Sequence, residues 1–453
     1  MIKRLSLVLI AVVALCLAAG PAPAHGETTA PADTLAISLE ESVRSAFANN
    51  KDLMVTREKV TEAQTRVGEA GTAFFPRLTG SAGYTRLDVA PFLPTSRFSI
   101  FGGGTAPKKI TIGLVDNYAA QLKLEQPLFT GGKIKNAYDL SRLGKSSADS
   151  ELNLAMSELV FETKKAYLEC IKAQKLERVA VETVKQLETH LADLQAMFDA
   201  GLAATNDVLK TKVYYSDSKL TLMKARHAVR LAKHVLCNTI GVPLTTELVL
   251  TSKVDSVAPI AIDLETAVAM GIERRTELKS MEFRKRMMQK EIAISRGGYL
   301  PEIYFFANLG YQYPDREYAR DFYSLWTMGV FAQMNVFDWG RTAYRTGQSK
   351  SRLAQLELIE QSMKDAIRLD VTKSYLTLLD AWNGIEVSRD NVAQAEENYR
   401  VTNETFREGL ATNPDLLDAE VLLTAAKTTY ANLMVEYLIA QADFARATGG
   451  PGN

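Results

Sequence analysis

The chain has 453 residues, 47% of them hydrophobic and 23% charged, with 53 Lys plus Arg against 53 Asp plus Glu. A zero formal charge excludes the basic excess of a nucleic-acid binder, and the hydrophobic fraction excludes wholesale disorder. Three Cys exclude a disulfide-built scaffold, and 14 Pro with 27 Gly suit long uninterrupted elements.

Residues 1–24 read as an export signal. Lys3 and Arg4 precede an apolar stretch from Leu5 to Ala19, and Ala22-Pro23-Ala24 supplies the small residues of a cleavage site. Beyond residue 24 no 18-residue apolar run occurs, so a spanning α-helix is not expected. Two options remain for the exported chain: a soluble protein, or a β-barrel, the other structure that lipid accepts.

The remainder repeats itself. Leu39, Glu40, Val43 and Leu53 align with Leu264, Glu265, Val268 and Leu278. Further on, Phe129, Gly132, Tyr167 and Phe198 align with Phe337, Gly340, Tyr375 and Phe406. The expected organisation is a first repeat over 36–241, a linker over 242–262, and a second repeat over 263–449.

Each repeat opens with a helix. Ser38 with Glu41 has capping-box spacing, and Asp263 takes the cap position in the second copy. The helical pattern predicts continuous helices to about Thr72 and Arg296. The period then drops to two. Ile303, Phe305, Ala307, Leu309 and Tyr311 alternate with polar or mixed residues, and so do Trp326, Met328, Val330, Ala332, Met334 and Val336. The expected hairpins cover about 78–128 and 302–337. Strands of this length with one apolar face suit a transmembrane barrel wall, with Phe305, Trp326 and Val330 toward lipid and Lys123, Gln333 and Asn335 toward the lumen. A small soluble sheet on a helical rod is the competing reading.

The helices that follow contain no Pro over 132–200 and 341–408. At 1.5 Å per residue each could extend about 100 Å. Val184, Leu187, Leu191, Leu194 and Phe198 have heptad spacing, and Ile385, Val392, Tyr399 and Phe406 recur every seven. Gly201-Leu202-Ala203 and Gly409-Leu410-Ala411 break them, and helical pattern resumes over 206–241 and 414–448. Such helices form a rod or tube, not a globular core.

Taken in order, "QPLFTGGK", "NVFDWGR", "FDAGLAATNDVL" and "FREGLATNPDLL", with Leu39 and Leu264 opening the two halves, resemble the TolC-like outer membrane efflux protein family over residues 38–449. The resemblance implies a mixed α and β homotrimer. Four strands per chain would enter one shared twelve-stranded outer-membrane β-barrel, above a periplasmic α-helical barrel. It implies an exit duct of a tripartite efflux or type I secretion system. Its partners would be a periplasmic adaptor, an inner-membrane pump of RND, ABC or MFS type, and outer-membrane lipid. A soluble, adaptor-like coiled-coil protein of the periplasm is the alternative, although an adaptor would have one helical hairpin and a lipoyl-like module.

The tips carry the candidate site. Asp415 and Asp418, three apart, share a helix face and match the family's acidic constriction; three copies would make two carboxylate rings, with raised pKa and cation affinity. Asp207 is the first-copy counterpart of Asp415, but Lys210 stands where Asp418 does. The resemblance implies a latch of an aromatic hydroxyl and an Arg beside the second tip. Phe406 and Ala411 occupy those places, so that latch is not available. Leu202 and Leu410 are expected to be apolar anchors for the adaptor, beside Gly201, Ala203 and Gly409. Cys170 and Cys237 read as core thiols or, less favoured, as a disulfide across one hairpin. His227 and His234 are seven apart, and with His190 suggest no metal site. No cofactor, nucleophile motif or enzymatic activity is expected.

Overall fold

The computed structural model describes residues 34–94, 109–252, 262–315 and 320–450. The expected signal segment lies outside the described residues, as do residues 95–108 of the first expected hairpin and much of the linker.

In chain order the first repeat contains β1 (Thr34–Ile37), α1 (Leu39–Asn49), α2 (Lys51–Thr72), β2 (Arg77–Arg86), β3 (Phe92–Pro94), β4 (Lys109–Thr111), β5 (Asp116–Thr130), α3 (Lys133–Asp199) and α4 (Thr205–Ile240). After β6 (Glu247–Leu250), the second contains α5 (Leu264–Arg274), α6 (Thr276–Arg296), β7 (Glu302–Tyr313), β8 (Tyr323–Gln333), α7 (Arg341–Arg407) and α8 (Asn413–Ala447).

The two 67-residue helices α3 and α7 run the length of the helical body. Toward the tips, α4 packs on α3 and α8 on α7, while α3 and α8 join the two hairpins. Toward the sheet, α2 and α6 take over as the partners of α3 and α7. The lateral order near the tips is therefore α4, α3, α8, α7. Its two outer edges are apolar and uncovered: Val213 and Leu231 on α4, and Leu369 and Val387 on α7, are all exposed.

The opening helices are each broken, not continuous as the pattern predicts. Asn50 leaves helical geometry with ψ 123°, and its side chain caps α2 by accepting from the Leu53 N–H at 3.0 Å. Its Nδ2 donates to the Thr239 carbonyl at 3.0 Å, which ties the break to the end of α4. In the second copy the break falls at Arg275, a buried residue whose guanidinium pairs with Asp370 at 2.7 Å. Asn prefers cap positions; the Arg break depends on a partner 95 residues away.

Between the breaks sits a girdle the sequence does not announce. β1 and β6 pair in parallel, Ile37 against Leu250, so part of the expected linker is strand. Tyr167 of α3 is fully buried there; its hydroxyl donates to the Ile37 carbonyl at 3.2 Å and accepts from the Ser252 N–H at 3.1 Å. Cys170 and Cys237 are both buried in the same cluster and both free, so the disulfide alternative is overturned. Burial pushes the Cys170 thiol up to about 12.

The sheet at the other end is four-stranded and antiparallel in the order β2-β5-β7-β8. Strand β8 stops at Gln333, short of the expected 337, because Asp338 turns the chain into α7 by accepting from the N–H groups of Gly340 and Thr342. Asn335 is therefore not a strand residue. Strand β5 instead runs past the expected end, to Thr130, with a register shift between Pro127 and Phe129.

Candidate functional site

Two regions carry chemistry, the sheet and the tips. Cross-strand register places Phe305 opposite Val330, Ala307 opposite Met328 and Leu309 opposite Trp326. The row continues through Leu122 and Leu124 of β5 to Leu78 of β2. Because side chains alternate along a strand, these residues form one apolar face. Trp326 is 67% and Val330 64% exposed on it, while Phe305 is half-buried. The opposite face carries Lys123, Gln121, Asn308 and Thr327. Among the described residues both β2 and β8 are edge strands with an unpaired side, a row of backbone groups that calls for a partner.

Each tip is a helix end built on glycine. Gly201 and Gly409 have φ of +76° and +77°. The next residue donates back across the turn, Leu202 N to Met197 O at 2.8 Å and Leu410 N to Thr405 O at 2.9 Å, the Schellman arrangement that ends a helix. Leu202 is 80% and Leu410 77% exposed at the apices. Ala203 and Ala411 fold inward and pack on Leu194, Val208, Phe406 and Leu416.

Phe406 is thus a core residue joining the hairpins, its ring edge-to-face with His190 at 5.2 Å between centroids. Here lies the contact the sequence reading missed. His190 of α3 is 8% exposed, and its Nε2 lies 2.7 Å from Oδ1 of the buried Asn413, the first residue of α8. Asn413 Nδ2 donates to the Asp207 carbonyl at 3.3 Å. That fixes Oδ1 as the acceptor, so His190 donates through Nε2. Thr211 brings its hydroxyl within 3.3 Å of the same Oδ1 and 3.0 Å of the Asp207 carbonyl. Arg407 of α7 adds a looser ion pair to Asp193 of α3 at 3.5 Å. Burial holds the His190 ring below its ordinary pKa, with the Asn413 bond and Asp193 offsetting part of this.

The acidic residues separate in role. Asp418 is exposed on α8. Asp415 is exposed too, but its carboxylate accepts from the Thr412 hydroxyl and from the Thr412 N–H at 2.8 Å. Within one chain these bonds hold Asp415 below the usual carboxylate range; the raised value expected of the carboxylate rings concerns three copies. Asp207 contributes its backbone carbonyl to the Asn413 cluster. A signal for that cluster does exist in the sequence, since Asn413, Glu420 and Lys427 repeat every seven residues where a core helix would show apolar ones. Among the described residues no group of His, Cys, Asp and Glu is arranged to hold a metal, and no helix is long and apolar enough to cross a membrane.

The model of the family described as outer membrane efflux protein matches residues 43–242 and 269–450. Among curated proteins, the alkaline protease secretion protein AprF of Pseudomonas aeruginosa is 23% identical over 72% of this chain and 68% of its own. The outer membrane efflux protein BepC of Brucella suis is 20% identical over 92% and 86%. Among solved structures, CusC superimposes with a TM-score of 0.76 at 15% identity, covering 95% of this chain and 99% of its own. The Campylobacter jejuni outer membrane channel CmeC gives 0.77 at 16% identity, covering 91% and 86%.

Proposed function

Because this chain belongs to the outer membrane efflux protein family, we propose that it is the exit duct of an efflux or type I secretion system, open to the exterior through a shared barrel and reaching back across the periplasm. One observation carries this reading. A four-stranded sheet with two unpaired edges and a continuous apolar face crowns helical hairpins whose outer edges are also apolar and unpaired.

In lipid every backbone N–H and carbonyl needs a partner, so an open sheet is not viable there alone. Pairing β2 of one chain with β8 of the next satisfies both edges, and three chains give the twelve strands expected for a closed barrel. The same rotation sets the apolar edge of α4 against that of α7 in the neighbouring copy, a head-to-tail contact that closes into a ring. Phe305, Val330 and Trp326 then face lipid, while Lys123 and Gln121 face the water-filled interior. A soluble adaptor-like rod has no use for that apolar face.

At the far end, Leu202 and Leu410 stand out of solvent-exposed turns as anchors for a periplasmic adaptor, through which the duct meets an inner-membrane pump. Asp418 and Asp415 project near the mouth and give it a preference for cations. The conducting step needs no catalysis: the pump supplies the free energy, and the duct supplies a path. Relatives are named for protease secretion and for efflux alike.

Light scattering of the detergent-extracted protein, corrected for detergent, tests the assembly. A protein mass of three chains, with discrete conductance steps in planar bilayers, supports the duct. A monomer without conductance overturns it.

A further inference from the structure

Above the tips, the seam between α3 and α8 departs from apolar packing. On α8, Asn413, Glu420 and Lys427 share one face at heptad spacing. His190 meets Asn413 at 2.7 Å, and Thr183 meets Thr424 hydroxyl to hydroxyl at 2.9 Å. Lys427 lies 3.4 Å from Glu182 of α3 and 3.3 Å from Glu396 of α7. One heptad further along, Met434 is buried and Val435 joins the core with Tyr167, Leu168 and Ile171. The polar stretch ends where apolar packing resumes.

Glu420 is the odd member of this stretch. It is 5% exposed, and its Oε1 is buried with no hydrogen-bond partner among the described residues. The Tyr399 hydroxyl bonds the carboxyl group, but a buried carboxylate with one oxygen left without a donor is still costly, and the neutral acid is less so. Lys427, whose charge acts on Glu420, is already shared between two other carboxylates.

We propose that the α3–α8 seam is a proton-controlled clasp: it holds while the buried Glu420 carboxyl carries its proton, and loosens when that proton leaves, freeing the α7/α8 tip from the α3/α4 tip. The clasp is a property of the chain itself; only its consequence, a change in the mouth of the duct, rests on the proposed function.

The surrounding titratable groups come from α8 itself and from α3, α4 and α7. Lys427 faces Glu420 from its own helix, and Tyr399 and Glu396 stand on α7, with Arg407 beyond. On α3 are Glu182, His190 and Asp193, and the same groove is lined further by Glu162, Lys165, Glu169 and Lys172 of α3 and by Tyr214, Asp217 and Lys224 of α4. Burial outweighs the Tyr399 hydroxyl and Lys427, and raises Glu420 from 4.5 to about 7. The closed seam therefore binds the proton more tightly than an open one. Its advantage is complete below pH 4.5 and is lost as the pH rises through about 7. His190 acts in the opposite sense. Its folded pKa is lowered, so the closed seam gains from it above the ordinary value of 6.5 and loses that gain as the pH falls. The two slopes oppose each other in the intact chain, and removing either group unmasks the other.

Hydrogen exchange of the full-length detergent-extracted protein, read by mass spectrometry over 185–200 and 408–425 and corrected for intrinsic rates, tests this at pH 6 and 8. His190→Gln, which keeps an amide donor for Asn413, should open about tenfold more at pH 8 than at pH 6. The wild type should show a smaller change in the same direction. Glu420→Gln and Glu420→Leu should both lose the alkaline loosening and open more at pH 6. Equal alkaline loosening in the wild type and both Glu420 variants overturns the clasp, as does a flat response in His190→Gln. Conductance recorded in parallel separates the two proposals: channels with a pH-independent seam sink the clasp alone, and a pH-dependent seam without channels sinks the duct alone.

Discussion

The backbone N–H of Thr412 donates to the carboxylate of Asp415 across 2.8 Å, so the residue that most resembles a pore-lining acid also starts a helix. Thr412→Ala should loosen the first turn of α8 by about 1 kcal/mol. Asp415→Ala should fray the same turn, whereas Asp418→Ala should leave it intact, since Asp418 stands exposed on an already formed helix. Both Asp variants should weaken block of the channel by multivalent cations. Exchange at residues 412–416, set beside single-channel recordings, reads the two effects separately; equal fraying in both Asp variants would remove the distinction. The Asp415 contribution holds above its ordinary 3.8 and disappears only as the pH falls through its lowered value, so nothing from it titrates near neutrality.

Asn413 makes a sharper case. Asn413→Ala leaves the His190 Nε2–H without its acceptor, while the Asp207 carbonyl keeps the Thr211 hydroxyl. Orphaning one buried polar group costs about 1–3 kcal/mol, so tip protection should drop markedly. The first-copy counterpart Thr205, exposed at the start of α4, has no such role, and Thr205→Ala should change tip exchange little. Similar losses in the two variants would show that the cluster adds nothing beyond helix initiation.

Much of this fold is legible in local signals. The capping box of Ser38 and Glu41 appears as expected, with Ser38 N donating to Glu41 at 2.8 Å, because a cap is decided within four residues. The glycine turns at 201 and 409 follow for the same reason. What is not legible depends on register between distant segments. His190 and Asn413 are 223 residues apart, and nothing local says that α3 and α8 meet at that height. The break at Arg275 hangs on Asp370, and the β1–β6 pair joins four-residue strands too short for a period to emerge. The acids at 415 and 418 look equivalent by spacing; only the cap geometry separates them.

The thiols give a test of the girdle. Cys170 and Cys237 are buried and free beside Tyr167, and burial raises both, Cys170 to about 12. Neither should react with a maleimide in the folded protein at pH 7, and both should react after denaturation in guanidinium. No difference in mass should appear on reduction. Rapid labelling of the native protein would mean that the girdle opens far more often than its packing implies.

The two faces of the sheet should respond in opposite ways to charge. Val330 lies on the apolar face opposite Phe305, and Thr327 on the polar face, where it accepts a hydrogen bond from Asn308 at 3.3 Å. An Arg on a lipid-facing position near the bilayer midplane costs about 2–4 kcal/mol, while an interior position meets water. Val330→Arg should therefore shift the urea midpoint for folding into lipid vesicles strongly downward. Thr327→Arg should lose little more than one weak hydrogen bond, of order 1 kcal/mol, and should alter ion preference instead, because it adds positive charge to the conducting path. A larger stability loss in Thr327→Arg than in Val330→Arg would invert the assignment of lipid and lumen faces, and with it the direction in which the four strands curl to close the barrel.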